Sequence, residues 1–460
     1  MPTPPPFERK SLLRLSWPLL AVTVFTLLAA LGNVVLLSVA SPELNAAAAT
    51  ANQILGILYD ISVLFSIGAL VVIAQCLGAG GLVAAQRASI VALRASLLLG
   101  LGIAVFVALA GPVIVSAINT PAEIAGDANA YLWIVALGMT FNAYIVAATA
   151  VMRAYGRTPA LLALGVVVNV LDVALLAFLL LVLDLGVVGA ALPTLVVRGV
   201  GVLILSWMVR RSTGAGVFAK LPARDASAKG EAGVMARLSL PTVVENGVYN
   251  LAIVIVVAWI NVLGTDAINA RSYTLTLTAL VTGVILALAQ GNETVVGWDV
   301  GANARRHAQW LTLRTAAWTA GAAALLTVLL RLAADQVLAI FGANAEVVAM
   351  VRDVLIVSAV LLPLSAVSSI VFGALRSVGD VILPMAYSIA ASAAVLVPVS
   401  WLLIEKAGLG LIGAFWGLVA AEAVKAALLT ARWLRGRWMA QTAIVPERQE
   451  TPTTVEATVL

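Results

Sequence analysis

Residues 160–183 read ALLALGVVVNVLDVALLAFLLLVL, with Asp172 as their single charge. A membrane span needs about 20 mostly apolar residues at about 1.5 Å rise each, and this stretch has the length. Eleven more runs of the same kind surround it, at 15–38, 53–76, 91–114, 131–152, 187–209, 238–262, 273–297, 311–331, 349–372, 383–404 and 411–434. Backbone polar groups cannot go unpaired in lipid, so each run is read as a helix rather than as open sheet. The fold class that follows is all-α integral membrane, with twelve transmembrane helices.

The composition agrees. Of 460 residues, 62% are hydrophobic and 11% charged, against about 25% charged in soluble domains. The net charge of +5 and the pI near 9.6 do not point to nucleic acid. Lys and Arg lie in short loops between apolar runs, where they report topology. With both termini in the cytoplasm, 22 of them fall on that side, Lys425 included. Four lie outside (Arg271, Arg331, Arg352, Lys406), and Arg198 falls within a span. The outer loops are acidic, with Glu43, Glu123, Asp127, Asp184 and Asp266. The lone Cys76 allows no intramolecular disulfide. The polar start MPTPPPFERK runs into a span too long for a signal peptide, and the stretch from about Gln441 to Leu460 reads as a disordered tail.

The chain also matches itself at an offset of 223 residues. Arg14-Leu15-Ser16-Trp17-Pro18 falls on Arg237-Leu238-Ser239-Leu240-Pro241, Gly78-Ala79 on Gly301-Ala302, Gln86 on Gln309, and Arg153 and Gly156 on Arg376 and Gly379. One residue out of that register, Leu185-Gly186 and Gly189-Ala190 fall on Leu409-Gly410 and Gly413-Ala414. Two six-helix lobes follow, 1–209 and 238–438, joined by a charged cytoplasmic linker at 210–237 and followed by the tail 439–460. Six is even, so both lobes insert the same way round, related by a pseudo-twofold axis along the membrane normal. The cleft between such lobes is where repeat transporters place substrate.

A proline opens each lobe (Pro18, Pro241). Gln75-Cys76-Leu77-Gly78-Ala79-Gly80 closes the second span, and Arg153-Ala154-Tyr155-Gly156 follows the fourth. Arg376-Ser377-Val378-Gly379-Asp380 with Pro384 repeats that turn, Asn169-Val170-Leu171-Asp172 stands in span five, and Gly436-Arg437-Trp438 follows span twelve. In this order and spacing over roughly residues 10–440, the set resembles the multidrug and toxic compound extrusion (MATE) family. The resemblance implies a V-shaped pair of six-helix bundles in the plasma (inner) membrane. It also implies export of bulky, often cationic drugs against H⁺ or Na⁺ entry. A monomer is expected, with no cofactor other than the transported ion.

Each carboxylate at mid-bilayer costs about 2.5–3.5 kcal/mol on insertion scales, so each needs a partner, a proton, an ion or water. Asp172 is the leading candidate for coupling. Asn169, three residues earlier, shares its helix face, and a carboxylate beside an amide oxygen suits Na⁺ or a carried proton. The resemblance implies an Asn and an Asp in span five, an Asp late in span one and a Thr in span six. Thr194 fits the last, whereas span one has no acid and Asn33 stands near the expected place. Asp60, beside Tyr59, is read as facing the cleft in place of that missing charge. In the second lobe, Glu245 with Asn250 and Glu293 with Asn292 are read as substrate or proton sites. Arg198 and Glu422 occupy repeat-related places and are assigned to structural ion pairing, because an Arg inside a bundle usually meets an acid. Asp299 is read as solvated, and His307 as a loop residue. Each of these polar residues also has the plainer role of bonding neighbouring helices.

Two further function classes make different demands on the sequence. A lipid-linked oligosaccharide flippase of the same superfamily would carry a basic cavity. An integral-membrane transferase would carry clustered Asp for Mg²⁺, a pattern not present.

Overall fold

The computed structural model describes residues 9–40, 55–56, 58–117, 122–183, 185–222, 230–340 and 344–440. Glu43, Asp184, Arg224, Lys229, Arg448 and the tail from Gln441 lie outside them. Among the described residues twelve helices are long and apolar enough to cross a membrane. They are α1 Leu12–Leu37, α2 Leu58–Gly78, α3 Leu82–Gly111, α4 Asn129–Ala154, α5 Thr158–Val182, α6 Gly186–Thr213, α7 Glu231–Val262, α8 Thr265–Gly301, α9 Arg305–Ala339, α10 Ala345–Ser377, α11 Ile382–Lys406 and α12 Gly410–Leu434. Most overrun the stretches expected from the sequence, because a helix continues beyond the hydrocarbon layer on residues that apolarity alone does not mark. For the same reason the linker is shorter than 210–237. Arg210 and Arg211 still belong to α6, and Arg237 lies in α7.

α1 starts, and α2, α4, α6, α8, α10 and α12 end, on one face, here the basic face. At this face a single apolar cluster runs through both lobes, joining Ile73 of α2, Tyr144 and Met152 of α4, and Met235, Leu238 and Trp298 of α7 and α8. Toward the far face the cores part. Leu132, Met139 and Leu176 pack within the first lobe, and Val256, Ile260, Val351 and Phe415 within the second. The lobes therefore share a core at one end only.

The shared end is built on near-identical contacts from the two lobes. A Cβ on Gly78 would lie 2.2 Å from the Trp298 carbonyl oxygen, and one on Gly301 would lie 2.1 Å from that of Gln75. The Gln75 side-chain amide donates to the Ser377 carbonyl at 2.7 Å, and the Trp298 indole donates to the Ala154 carbonyl at 2.8 Å. Gly68 donates its N–H to Ser239 Oγ at 2.8 Å, while Gly291 lies against Ser16 Oγ. Every one of these pairings maps onto its mate at the offset of 223, so the sequence repeat is a two-fold axis in space.

The one-residue slip of that offset also has a physical origin. α5 and α11 both end in a π-helical turn, at Phe178–Val182 and Leu402–Lys406. α11 carries an additional π-helical stretch at Ala391–Leu396. A π-bulge absorbs an extra residue without breaking the helix, and it falls between the last landmark at 223 and the first at 224.

The end motifs close the second lobe. Arg432 grips Asp380 with two bonds, of 2.5 and 2.8 Å. Trp438 stacks on Trp433 with ring centroids 4.2 Å apart.

Candidate functional site

In the first lobe, α1 and α5 approach closely where Gly165 faces Val22 and Gly32 faces Val173. This proximity lets Asn33 of α1 donate its amide to Asp172 Oδ2 at 2.7 Å. Asn33 Oδ1 is buried without a hydrogen-bond partner, which leaves one acceptor beside the carboxylate. Asn169 does not turn to Asp172. Its amide donates to Thr26 Oγ1 at 3.2 Å and to the Gly165 carbonyl at 2.8 Å. The α1–α5 seam thus has two polar rungs, and Asn33 rather than Asn169 partners the acid. Thr194 is half-buried on α6 and makes no hydrogen bond to the pair among the described residues. Thr26→Val removes one rung and leaves Asp172 untouched. A stability loss of about 1 kcal/mol is expected in thermal melting, with little change in transport.

Asp60 lies apart from that pair. Asn250 of α7 donates to its Oδ2 at 3.0 Å across the two lobes, so both residues face the inter-lobe space.

Among the described residues no acid pairs with Arg198, where an ion pair was expected. Arg198 donates to the Tyr59 hydroxyl at 2.5 Å and lies 5.1 Å from the centre of that ring, with Nη1 buried and unpaired. An aromatic hydroxyl and π-face replace the acid, because α6 turns this residue toward α2. Glu422 pairs elsewhere in its own lobe. Lys425, one turn along α12, has its Nζ 3.9 Å from Glu422 Oε1 and 3.2 Å from Glu245 Oε1. Ser368 of α10 donates to Glu422 Oε2. Lys425 therefore lies inside the bundle and does not belong among the residues of the basic face. Its signal in the sequence was the Glu422–Lys425 spacing within an apolar run.

Glu293 and Asn292 point different ways. Asn292 donates to Thr312 Oγ1 of α9 at 3.4 Å. Glu293, 4% exposed, meets Arg376 at 2.7 Å and Arg153 of the other lobe at 3.6 Å. It is therefore part of the closed basic end. Asp299 is buried, not solvated. His307 bonds it at 2.7 Å and Arg9 approaches to 3.6 Å, because both reach over it from outside its helix.

Among the described residues no group of three or more His, Cys, Asp and Glu could hold a metal ion. Three of these polar groups are placed to meet a cation: the Asn33–Asp172 pair in the first lobe, the Glu245–Lys425–Glu422 cluster in the second, and Asp60–Asn250 between them.

The family model MatE matches residues 19–178 and 241–402, one block per lobe. The chain is 24% identical to an uncharacterized transporter, YisQ, of Bacillus subtilis, over 93% of this chain and 95% of that one. It is 23% identical to a probable multidrug resistance protein, NorM, of Thermotoga maritima, over 96% of both. An aspartate-to-asparagine mutant of the Vibrio cholerae MATE transporter VcmN has a solved structure with the same fold. Its TM-score is 0.85 at 19% identity, covering 94% of this chain and 98% of that one.

Proposed function

We propose, from the premise that this chain belongs to the MATE family of efflux transporters, that it is a secondary antiporter. In this reading it exports organic cations in exchange for H⁺ or Na⁺ by alternating access. Its basic face is cytoplasmic, both termini lie on that side, and the membrane is the plasma (inner) membrane. The lobes 1–209 and 238–438 act as the moving bodies. The observation that carries the reading is the Asn33–Asp172 contact. The partner of this carboxylate is a neutral amide, and among the described residues no base lies within ion-pair distance of it. Such a group gains most from a proton or a small cation. Binding there draws α1 toward α5, and α1 also lies against α8 through Thr23 and Gly283, Ser16 and Gly291. The cation site is thereby linked to the inter-lobe contact that must open and close.

The driving force depends on stoichiometry, because a monovalent cation leaving for one proton moves no net charge and draws only on the pH or Na⁺ gradient. One positive charge entering down 100 mV yields about 2.3 kcal/mol, and a tenfold concentration step costs about 1.4 kcal/mol. One proton per neutral drug sustains a gradient of roughly fortyfold.

The test is efflux of ethidium from a pump-deficient bacterium, with and without Na⁺ and after collapse of the proton gradient. Asp172→Asn is expected to slow efflux at least about tenfold, an effect on the order of 1.4 kcal/mol. Wild-type efflux by Asp172→Asn would move the coupling to another acid. No efflux of any cation, with the protein present in the membrane, would favour a flippase.

A further inference from the structure

The second lobe holds two carboxylates, Glu245 and Glu422, around one ammonium, Lys425. The three side chains are 9, 14 and 18% exposed, so water does little of the solvation. With all three ionised, one negative charge remains unmatched. The lysine leans toward Glu245, at 3.2 against 3.9 Å, and Glu422 takes its second bond from Ser368. Phe372 lies against the ammonium as well, its ring centre 5.9 Å from Lys425 Nζ and 5.7 Å from the Arg376 guanidinium. The stretch of α7 that follows Glu245 reaches the inter-lobe space. Tyr249, one turn along, is 37% exposed, and Asn250 bonds Asp60 of the first lobe.

We propose that Lys425 is a tethered competitor, an ammonium of the chain itself that fills the Glu245–Glu422 pair and that an organic monocation must displace from it. Binding in this lobe is then an exchange of one cation for another. The inference rests on the export reading above and adds the residue that sets the threshold for cation entry. A flexible lysine suits this role because its charge sits on four methylenes and can swing. An arginine with its planar fork would be bound in place. A bare buried acid pair would hold any cation tightly and release it slowly. A built-in competitor weakens the bound state and speeds release.

The experiment is calorimetric titration of tetraphenylphosphonium into the purified full-length protein in nanodiscs, at one pH and low salt. Lys425→Gln removes the competitor and leaves both acids, so binding on the order of tenfold tighter is expected. Lys425→Arg keeps the charge and should bind no more tightly than wild type. Glu422→Gln leaves one acid matched by the lysine and should bind more weakly. Equal or weaker binding by Lys425→Gln, in protein that melts as a folded species, overturns the proposal. If Lys425→Gln does not fold, Glu422→Gln with Lys425→Gln restores the single unmatched charge. That variant is compared with Glu422→Gln alone, tighter binding being expected and no difference overturning the idea. Ethidium export by wild type is measured alongside. Intact export with no gain in Lys425→Gln sinks the competitor alone. Absent export sinks the transport reading, while the exchange remains visible in the titration.

Discussion

Gly301→Val is expected to hold the lobes apart at the basic face and to cut efflux at least about tenfold. A Cβ there would sit 2.1 Å from the Gln75 carbonyl oxygen, and a backbone atom cannot rotate away as a side-chain tip can. Overpacking usually costs about 1–3 kcal/mol, and here it falls on the surface along which the lobes close. The lone cysteine reports the outcome. Cys76 is 3% exposed and neighbours Gln75, so separated lobes should admit a maleimide that closed lobes exclude. Gly321→Ala is the matched control, because a Cβ there meets nothing within 4 Å. It should leave labelling unchanged and stabilise α9 by roughly 0.5–1 kcal/mol. Unchanged labelling and full export by Gly301→Val would show that the glycine crossing does not limit closure.

The second large effect is expected at Glu293. Its carboxylate is the only acid among the described residues within ion-pair reach of Arg153 or Arg376. Arg153 has two buried nitrogens without hydrogen bonds, so Glu293 is its main compensation. Glu293→Gln keeps the shape and removes the charge. Breaking a buried ion pair from one side costs about 3–5 kcal/mol, and the cheapest relief is to let water reach the guanidinium groups. Faster Cys76 labelling, a lower melting temperature and slower export should therefore appear together. Wild-type labelling with a normal melt would make the cluster incidental to closure. The two variants differ in mechanism: Gly301→Val acts by steric excess and should be insensitive to salt. Glu293→Gln acts by like-charge repulsion, and once water enters, its defect should shrink as ionic strength rises.

The sequence was informative wherever one residue or one helix decides the matter. Twelve spans follow from hydropathy alone, and the two-lobe symmetry follows from landmarks such as Gly78 and Gly301. Even the slip from 223 to 224 is visible in the sequence, as the trace of a π-helical stretch in α11. Pairings between helices were less legible. Shared helix face suggested Asn169 for Asp172, whereas the neighbouring helix delivers Asn33. Arg198 is expected to meet an acid and meets Tyr59, and Lys425, counted with the cytoplasmic basic residues, is the counter-charge of two acids. These outcomes depend on how each helix is rotated against its neighbours, and one sequence does not record that angle. Asp299 fits the same account, since its partners Arg9 and His307 arrive from outside α8.

The reciprocal contacts at the basic face carry a historical consequence. The contacts at Gly78 and Gly301, at Gln75 and Trp298, and at Gly68 and Gly291 are reciprocal between the halves, which is the signature of an isologous dimer. A six-helix ancestor that met a second copy of itself through this surface, before the genes fused, accounts for the arrangement. Fusion freed the two copies to diverge. Gln75 of one half stands where the other has Trp298, and Ser239 holds a hydrogen bond that Ser16 lacks. The same freedom let one half keep a lone acid at Asp172 while the other surrounded its acids with Lys425. Two halves expressed from separate genes should therefore still find each other in the membrane, because the surface that joins them never depended on the linker.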